Sequence, residues 1–156
     1  MASEAIIDRA TFNQQTILLV EDNEDDVFIM QNAFRRASVP NPLQVVGDGD
    51  QAIAYLQGEG MYSDRQRYPL PIVILLDLNM PRKNGLEILG WLRQQPGLKR
   101  AAVHILTASS RQADIERAFD LGANAYIVKP SKVEALVEML KAWHSSSQFQ
   151  AFPGPG

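Results

Sequence analysis

Four apolar runs in this chain each end in a side chain that can do chemistry. Ile17-Leu18-Leu19-Val20 runs into Glu21-Asp22, and Ile72-Val73-Ile74-Leu75-Leu76 runs into Asp77. Ala102-Val103-His104-Ile105-Leu106 runs into Thr107, and Ala125-Tyr126-Ile127-Val128 into Lys129-Pro130. Brought together, these ends supply three carboxylates, a hydroxyl and an ammonium. Like charges crowded in a partly desolvated pocket are unfavourable unless a cation neutralises them. All-oxygen donors without His or Cys suit a hard cation, Mg2+ ahead of Zn2+. A carboxylate beside Mg2+ can act as a nucleophile toward phosphorus. Such a transfer needs the charge on the phosphoryl oxygens compensated. Mg2+ would meet one oxygen, the Lys129 ammonium a second and the Thr107 hydroxyl a third, with the small Ala108 leaving the approach open.

That convergence requires a particular scaffold. Short β-branched apolar runs separated by helical patterns read as parallel strands buried on both faces. The alternation predicts strands at 16–21, 43–47, 72–77, 102–107 and 124–128, with helices at 24–37, 49–57, 84–95, 111–121 and 131–145. Val27, Met30, Phe34 and Ala37 share one helical stripe, as do Val133, Leu136, Val137, Leu140 and Trp143. Five β-α units in sequence predict a doubly wound α/β fold, flavodoxin-like, with helices on both faces of a parallel sheet. Order 2-1-3-4-5 sets the first and third strands side by side at the switch point, where carboxyl ends of strands line a ligand crevice. Asp22 and Asp77 would then be neighbours. The division expected is an N-terminal extension (1–15), one domain (16–145) and a C-terminal tail (146–156).

Composition narrows the function classes. At 156 residues the prior is one domain with a real core. Fifteen basic against 18 acidic residues leave a net charge of −3, so no footprint for nucleic acid or anionic membrane is visible. The absence of cysteine excludes disulfides, thiolate metal sites and cysteine nucleophiles. The amino terminus lacks an apolar signal region, and no apolar stretch approaches the roughly 18 residues a membrane span needs, so a cytoplasmic protein is expected.

Weaker signals surround the strand ends. Glu24, Asp25 and Asp26 read as the acid-rich first turn of a helix with Asn23 or Glu24 near its N-cap. Asn84 reads as another N-cap, with Gly85 relaxing the turn behind it. His104 and His144 read as structural, the latter complementing a helix C-terminus. Residues 58–71 form a long connection carrying Tyr62, Arg65, Arg67 and Tyr68, read first as a solvated insertion and second as a partner contact. Phe149 and Phe152 in the tail would fold back or pack on a twin subunit.

Taken in order, Glu21-Asp22, Asp77-Leu78-Asn79-Met80-Pro81-x-x-Asn84-Gly85, Thr107-Ala108, Tyr126 and Lys129-Pro130 resemble the receiver domain of two-component response regulators over about residues 16–145. The resemblance implies that Asp77 is the phosphoacceptor and that Asp22, Asp77 and the backbone carbonyl of Asn79 bind Mg2+ (Mn2+ as a substitute), with Glu21 acting through a metal-bound water. It implies that Lys129 pairs with the phosphoryl group, that Thr107 and Tyr126 form the switch, that Asn79 and Ser109 tune dephosphorylation, and that Lys129-Pro130 is a cis peptide. On phosphorylation Thr107 would move inward, and Tyr126 would turn from a solvent-facing to a buried rotamer. That would alter the face made by the fourth helix, fifth strand and fifth helix, through which a homodimer is expected.

With its 58–71 loop and no output domain, the chain looks like the stand-alone receivers that serve phytochrome-type sensor histidine kinases. The function expected is a single-domain response regulator, not an enzyme beyond its own phosphorylation and slow dephosphorylation. The alternatives are a phosphorylation-independent adaptor on the same fold and a Mg2+-dependent aspartyl phosphatase. The second is weakened because Asn79 stands where a second acid would protonate the leaving group. A flavin carrier is disfavoured because the acids at 21–26 would repel its phosphate.

Overall fold

The computed structural model describes residues 8–80 and 84–146. Five strands, β1 (Ile17–Val20), β2 (Leu43–Val46), β3 (Val73–Leu76), β4 (Val103–Thr107) and β5 (Ala125–Val128), form one parallel sheet in the order β2-β1-β3-β4-β5. Among the described residues six α-helices surround it: α1 (Arg9–Gln14), α2 (Glu24–Arg36), α3 (Gly49–Gln57), α4 (Gly85–Gln94), α5 (Gln112–Asp120) and α6 (Val133–Ser146). A short 3-10 turn occupies Gly60–Ser63. Among the described residues no helix is long and apolar enough to cross a membrane.

Side chains alternate across the sheet, and the two faces build two cores. Leu18, Val20, Ile74, Leu76, Val103 and Ile105 pack with Tyr55, Leu56, Ile88, Leu89, Leu92 and Ala118 from α3, α4 and α5. Ile17, Leu19, Val73, Leu75 and Leu106 pack with Met30, Phe34, Leu136, Val137 and Leu140 from α2 and α6. β1 and β3, buried on both faces, are therefore apolar throughout, and Glu21 and Asp77, the first polar residues beyond them, mark the sheet's carboxyl edge.

The helix starts follow from capping chemistry. Asn23 Oδ1 accepts from the Asp26 amide at 3.0 Å, and Asn84 Oδ1 from the Glu87 amide at 3.0 Å. Glu24, Asp25 and Asp26 fill the first turn of α2, where the helix dipole favours negative charge. Gly85 has a second task. A Cβ there would clash with the carbonyl oxygen of Asp77, so only glycine lets α4 start against the strand end that carries this aspartate.

Three features differ from the sequence expectation. Residues 9–14 of the N-terminal extension are helical, with Phe12 buried in the second core. Asn41 fastens this helix by donating to the Phe12 and Gln15 carbonyls at 2.6 and 2.9 Å. The 58–71 connection, though most of its residues are exposed as expected, is pinned through half-buried Tyr62, Arg65 and Tyr68. Tyr55, Tyr62 and Tyr68 form a ring cluster with centroids 5.1–6.0 Å apart, and Arg65 donates to the carbonyls of Tyr55, Leu56 and Tyr68. Burial pushes the Tyr55 phenol up to about 12, and its hydroxyl donates to the Pro69 carbonyl at 2.8 Å. Finally, Nε2 of His144 meets Asn41 Oδ1 at 3.0 Å, and burial with the nearby Arg9 charge lowers its pKa. The cation at the end of α6 is Arg9, which donates to the His144 and Ser145 carbonyls.

Candidate functional site

The sheet register brings the chemistry-bearing residues together. Val20 pairs with Leu76, Leu76 with Ile105, and Thr107 with Val128, so Glu21, Asp77, Thr107 and Lys129 stand along one edge. An open cavity of about 610 Å3 lies over that edge, its walls including Glu21, Asp22, Asp77, Asn79, Ala108 and Lys129. Ile29 and Met30 of α2 and Val133 and Leu136 of α6 extend the wall on its apolar side.

Lys129 is the centre of the charge arrangement. Its backbone amide donates to the Thr107 carbonyl at 2.7 Å, continuing the β4–β5 ladder. Its Nζ lies 2.7 Å from Glu21 Oε1 and 3.5 Å from Asp77 Oδ2. Burial works against the ammonium, but the bond to Glu21 and the charges of Asp77 and Glu21 outweigh it, and the net shift is upward. Glu21 is 2% exposed. Burial drives its carboxyl up to about 7 against the opposing pull of Lys129, with the Asp77 charge adding to the rise. The pocket thus holds more negative charge than one lysine offsets.

Asp77 is buried at the cavity floor, and its Oδ1 accepts from the Asn79 amide at 3.1 Å. That bond turns the chain so that Asn79 also faces the cavity. Asp22 is exposed at the rim. Among the described residues no three His, Cys, Asp or Glu side chains converge closely enough to hold a metal alone. A cation here would take the Asp22 and Asp77 carboxylates, a backbone carbonyl such as that of Asn79, and water. That hard, partly hydrated oxygen set fits Mg2+ or Mn2+ and not Zn2+.

The remaining predicted residues lie nearby with different commitments. Thr107 is fully buried, and its Oγ1 takes a long 3.5 Å contact from the Ser109 amide. Tyr126 is half-buried, and its hydroxyl donates to the Ser109 carbonyl at 2.9 Å. The Ser109 hydroxyl donates to Asp114 Oδ2 at 2.5 Å, a link not anticipated from the sequence. The Lys129-Pro130 peptide is trans, contrary to the expected cis form. An X-Pro bond prefers trans by only about 0.5–1 kcal/mol, so its isomer is set by the surroundings and not by the dipeptide. Pro81 of the motif and Phe149 and Phe152 of the tail lie outside the described residues. His104 is buried in β4, its Nδ1 accepting from Trp143 Nε1 at 2.9 Å, and burial pushes its pKa down to about 4, in keeping with a structural role.

A parallel 2-1-3-4-5 sheet with acids beyond β1 and β3, a hydroxyl on the last residue of β4 and a lysine beyond β5 defines a receiver domain. The response regulator receiver domain family model matches residues 17–141, and the chain belongs to that family, a class of two-component signalling proteins.

Particular relatives sharpen the placement. The chain is 36% identical over 131 residues to the response regulator Rcp1 of Synechocystis sp., covering 84% of this chain and 87% of that one. The structure of Rcp1 in its Mn(2+)-bound form matches with a TM-score of 0.76 at 34% identity, covering 88% of this chain and 99% of that one. The phosphorylated cyanobacterial phytochrome response regulator RcpA matches with a TM-score of 0.77 at 37% identity, covering 87% and 98%. Response regulator RPA3017, in red light signalling of R. palustris, matches with a TM-score of 0.82 at 35% identity, covering 88% and 99%. This chain is thus similar to response regulators that include a phytochrome response regulator and one in red light signalling.

Proposed function

We propose that this chain takes a phosphoryl group from a sensor histidine kinase of phytochrome type onto Asp77 and relays the signal through a phosphorylation-dependent change of its surface. The observation that carries this reading is the buried Asp77 carboxylate 3.5 Å from Lys129 Nζ on the floor of an open acidic cavity. An oxygen of Asp77 bonds to phosphorus as the phosphorus–nitrogen bond to the kinase histidine breaks, leaving an acyl phosphate on Asp77. Lys129 is placed to offset charge on the phosphoryl oxygens, and the buried Thr107 hydroxyl can donate to another of them. Asp22, Asp77 and the Asn79 carbonyl would hold Mg2+ or Mn2+, with Glu21 acting through a water. The bound cation would neutralise the pocket and one phosphoryl oxygen.

The reading places the output surface on α5, β5 and α6, next to Thr107 and Tyr126. Phe119 of α5 and Val128 of β5 are 48% and 41% exposed there, which supports a homodimer through this face. Sedimentation showing only monomer at tens of micromolar, with and without an acyl-phosphate mimic, would remove the dimer. The whole reading is tested by incubating the protein with a phosphorylated phytochrome-type kinase. Label should pass to wild type and not to Asp77→Asn. Label retained on the kinase, in the presence of Mg2+, would count against it.

A further inference from the structure

The loop after Thr107 is tied down by a chain of hydrogen bonds leading away from Asp77. The Ser109 hydroxyl donates to Asp114 Oδ2 at 2.5 Å, the length of a charge-assisted bond. Asp114, in the first turn of α5, also receives Nε and Nη2 of Arg111 at 3.0 and 3.3 Å. The Arg111 amide approaches Ser109 Oγ at 3.4 Å, and the Tyr126 hydroxyl holds the Ser109 carbonyl from the other side. These contacts orient Ser109 toward α5. Of the two residues after Thr107, Ala108 lines the cavity over Asp77 and Ser109 does not.

We propose that Asp114 is a positioning residue that prolongs the phosphorylated state by keeping the Ser109 hydroxyl away from the water that hydrolyses the acyl phosphate. This rests on Asp77 being the phosphoacceptor. In that hydrolysis the water oxygen bonds to phosphorus while the bond from phosphorus to the Asp77 carboxyl oxygen breaks. The carboxylate is restored, a water proton passes to a phosphoryl oxygen, and inorganic phosphate leaves. A hydroxyl two residues beyond Thr107 can both donate to and accept from such a water, and so orient it for in-line attack. A hydroxyl already committed to a carboxylate cannot donate to it. The Ser109 hydroxyl first and Arg111 second hold the Asp114 carboxyl below its ordinary range, which keeps it in the ionised, accepting form.

The test labels the full chain with acetyl phosphate and Mg2+, removes the donor, and follows loss of the adduct by intact-mass spectrometry. Asp114→Ala should shorten the adduct lifetime about fivefold, the factor one ordinary hydrogen bond is worth. Because Asp114 acts through Ser109, the effect should vanish in a Ser109→Ala background, the double variant decaying like Ser109→Ala alone. A purely structural Asp114 would shorten the lifetime equally in both backgrounds, which overturns the proposal. So does an unchanged lifetime in Asp114→Ala. Should that variant lose its fold by circular dichroism, Asp114→Asn replaces it. It keeps the shape but offers a weaker acceptor, and its lifetime should also fall in the Ser109 background and not in the Ser109→Ala one. An unlabelled wild type would bring down the Asp77 reading and the inference together, a result distinct from labelled proteins with equal lifetimes.

Discussion

Arg93 and Lys129 both reach between elements with a long cationic side chain, but they meet opposite company. Arg93 gives Nε and Nη2 to the Gly122 carbonyl, Nη1 to the Lys99 and Ala101 carbonyls, and Nη2 also to Asn124 Oδ1. Those acceptors are neutral, and together they tie the end of α4 to the turns before β4 and β5. Arg65 does the same for the end of α3 and the 58–71 connection. Lys129 instead faces two carboxylates, and the more buried of them is driven up to about 7. Neutral carbonyl dipoles can take up the donors of a planar guanidinium. Carboxylates around one ammonium leave an excess that a further cation or protonation of one acid relieves. The first arrangement is a staple, and the second is a site waiting for chemistry.

Exchange of each cation for methionine should separate the two roles. Lys129→Met is expected to fold and yet to lose at least about 100-fold in the rate of labelling by acetyl phosphate, the scale of one preorganised charge-stabilising group. Labelling at the wild-type rate would break the contrast. Arg93→Met should do the reverse, losing about 2–3 kcal/mol in urea unfolding because the Ala101 and Gly122 carbonyls lose their donors. Its folded molecules should label as wild type does.

The burial of Glu21, which Lys129 only partly offsets, also has a signature in pH. With its folded pKa raised from 4.5 to about 7, Glu21 contributes stability that is whole below pH 4.5 and lost as pH rises through 7, because the folded state alone keeps the proton in that window. In metal-free protein, the stability of wild type minus that of Glu21→Gln should therefore fall by up to about 3 kcal/mol between those values. A flat difference would show that Lys129 fully compensates the pocket. His104 has the opposite sign, its contribution being present above 6.5 and lost as pH falls through 4, but both proteins carry it and it cancels. The smallest effect belongs to the pinned connection. Tyr55→Phe removes the bond to the Pro69 carbonyl and should cost about 1 kcal/mol in thermal unfolding, with no change in labelling.

The sheet and the site edge were legible because strands packed in the sheet are mostly apolar, so Glu21, Asp77, Thr107 and Lys129 stand out where the apolar runs end. Capping residues Asn23 and Asn84 act locally and could be read locally. What escaped depends on distant partners. Helix α1 is only six residues long and is held by Asn41, Phe12 and Arg9 contacts across the chain. The tyrosine cluster needs Tyr55 of α3 to meet Tyr62 and Tyr68, and the Arg65 contacts to backbone carbonyls have no sequence mark. Gly85 could be seen as a turn residue, but not as the only residue that fits against the Asp77 carbonyl. The Ser109–Asp114 bond spans five residues across a loop whose path the sequence does not define.

Intact-mass spectrometry of wild type and Asp77→Asn after incubation with acetyl phosphate and Mg2+ tests phosphoryl acceptance by Asp77 most directly. A labile single adduct of about 80 Da, one phosphoryl group, is expected on wild type alone. Equal adducts on both proteins would place the acceptor on another residue. No adduct on wild type, where a control receiver is labelled, would contradict phosphoryl acceptance altogether.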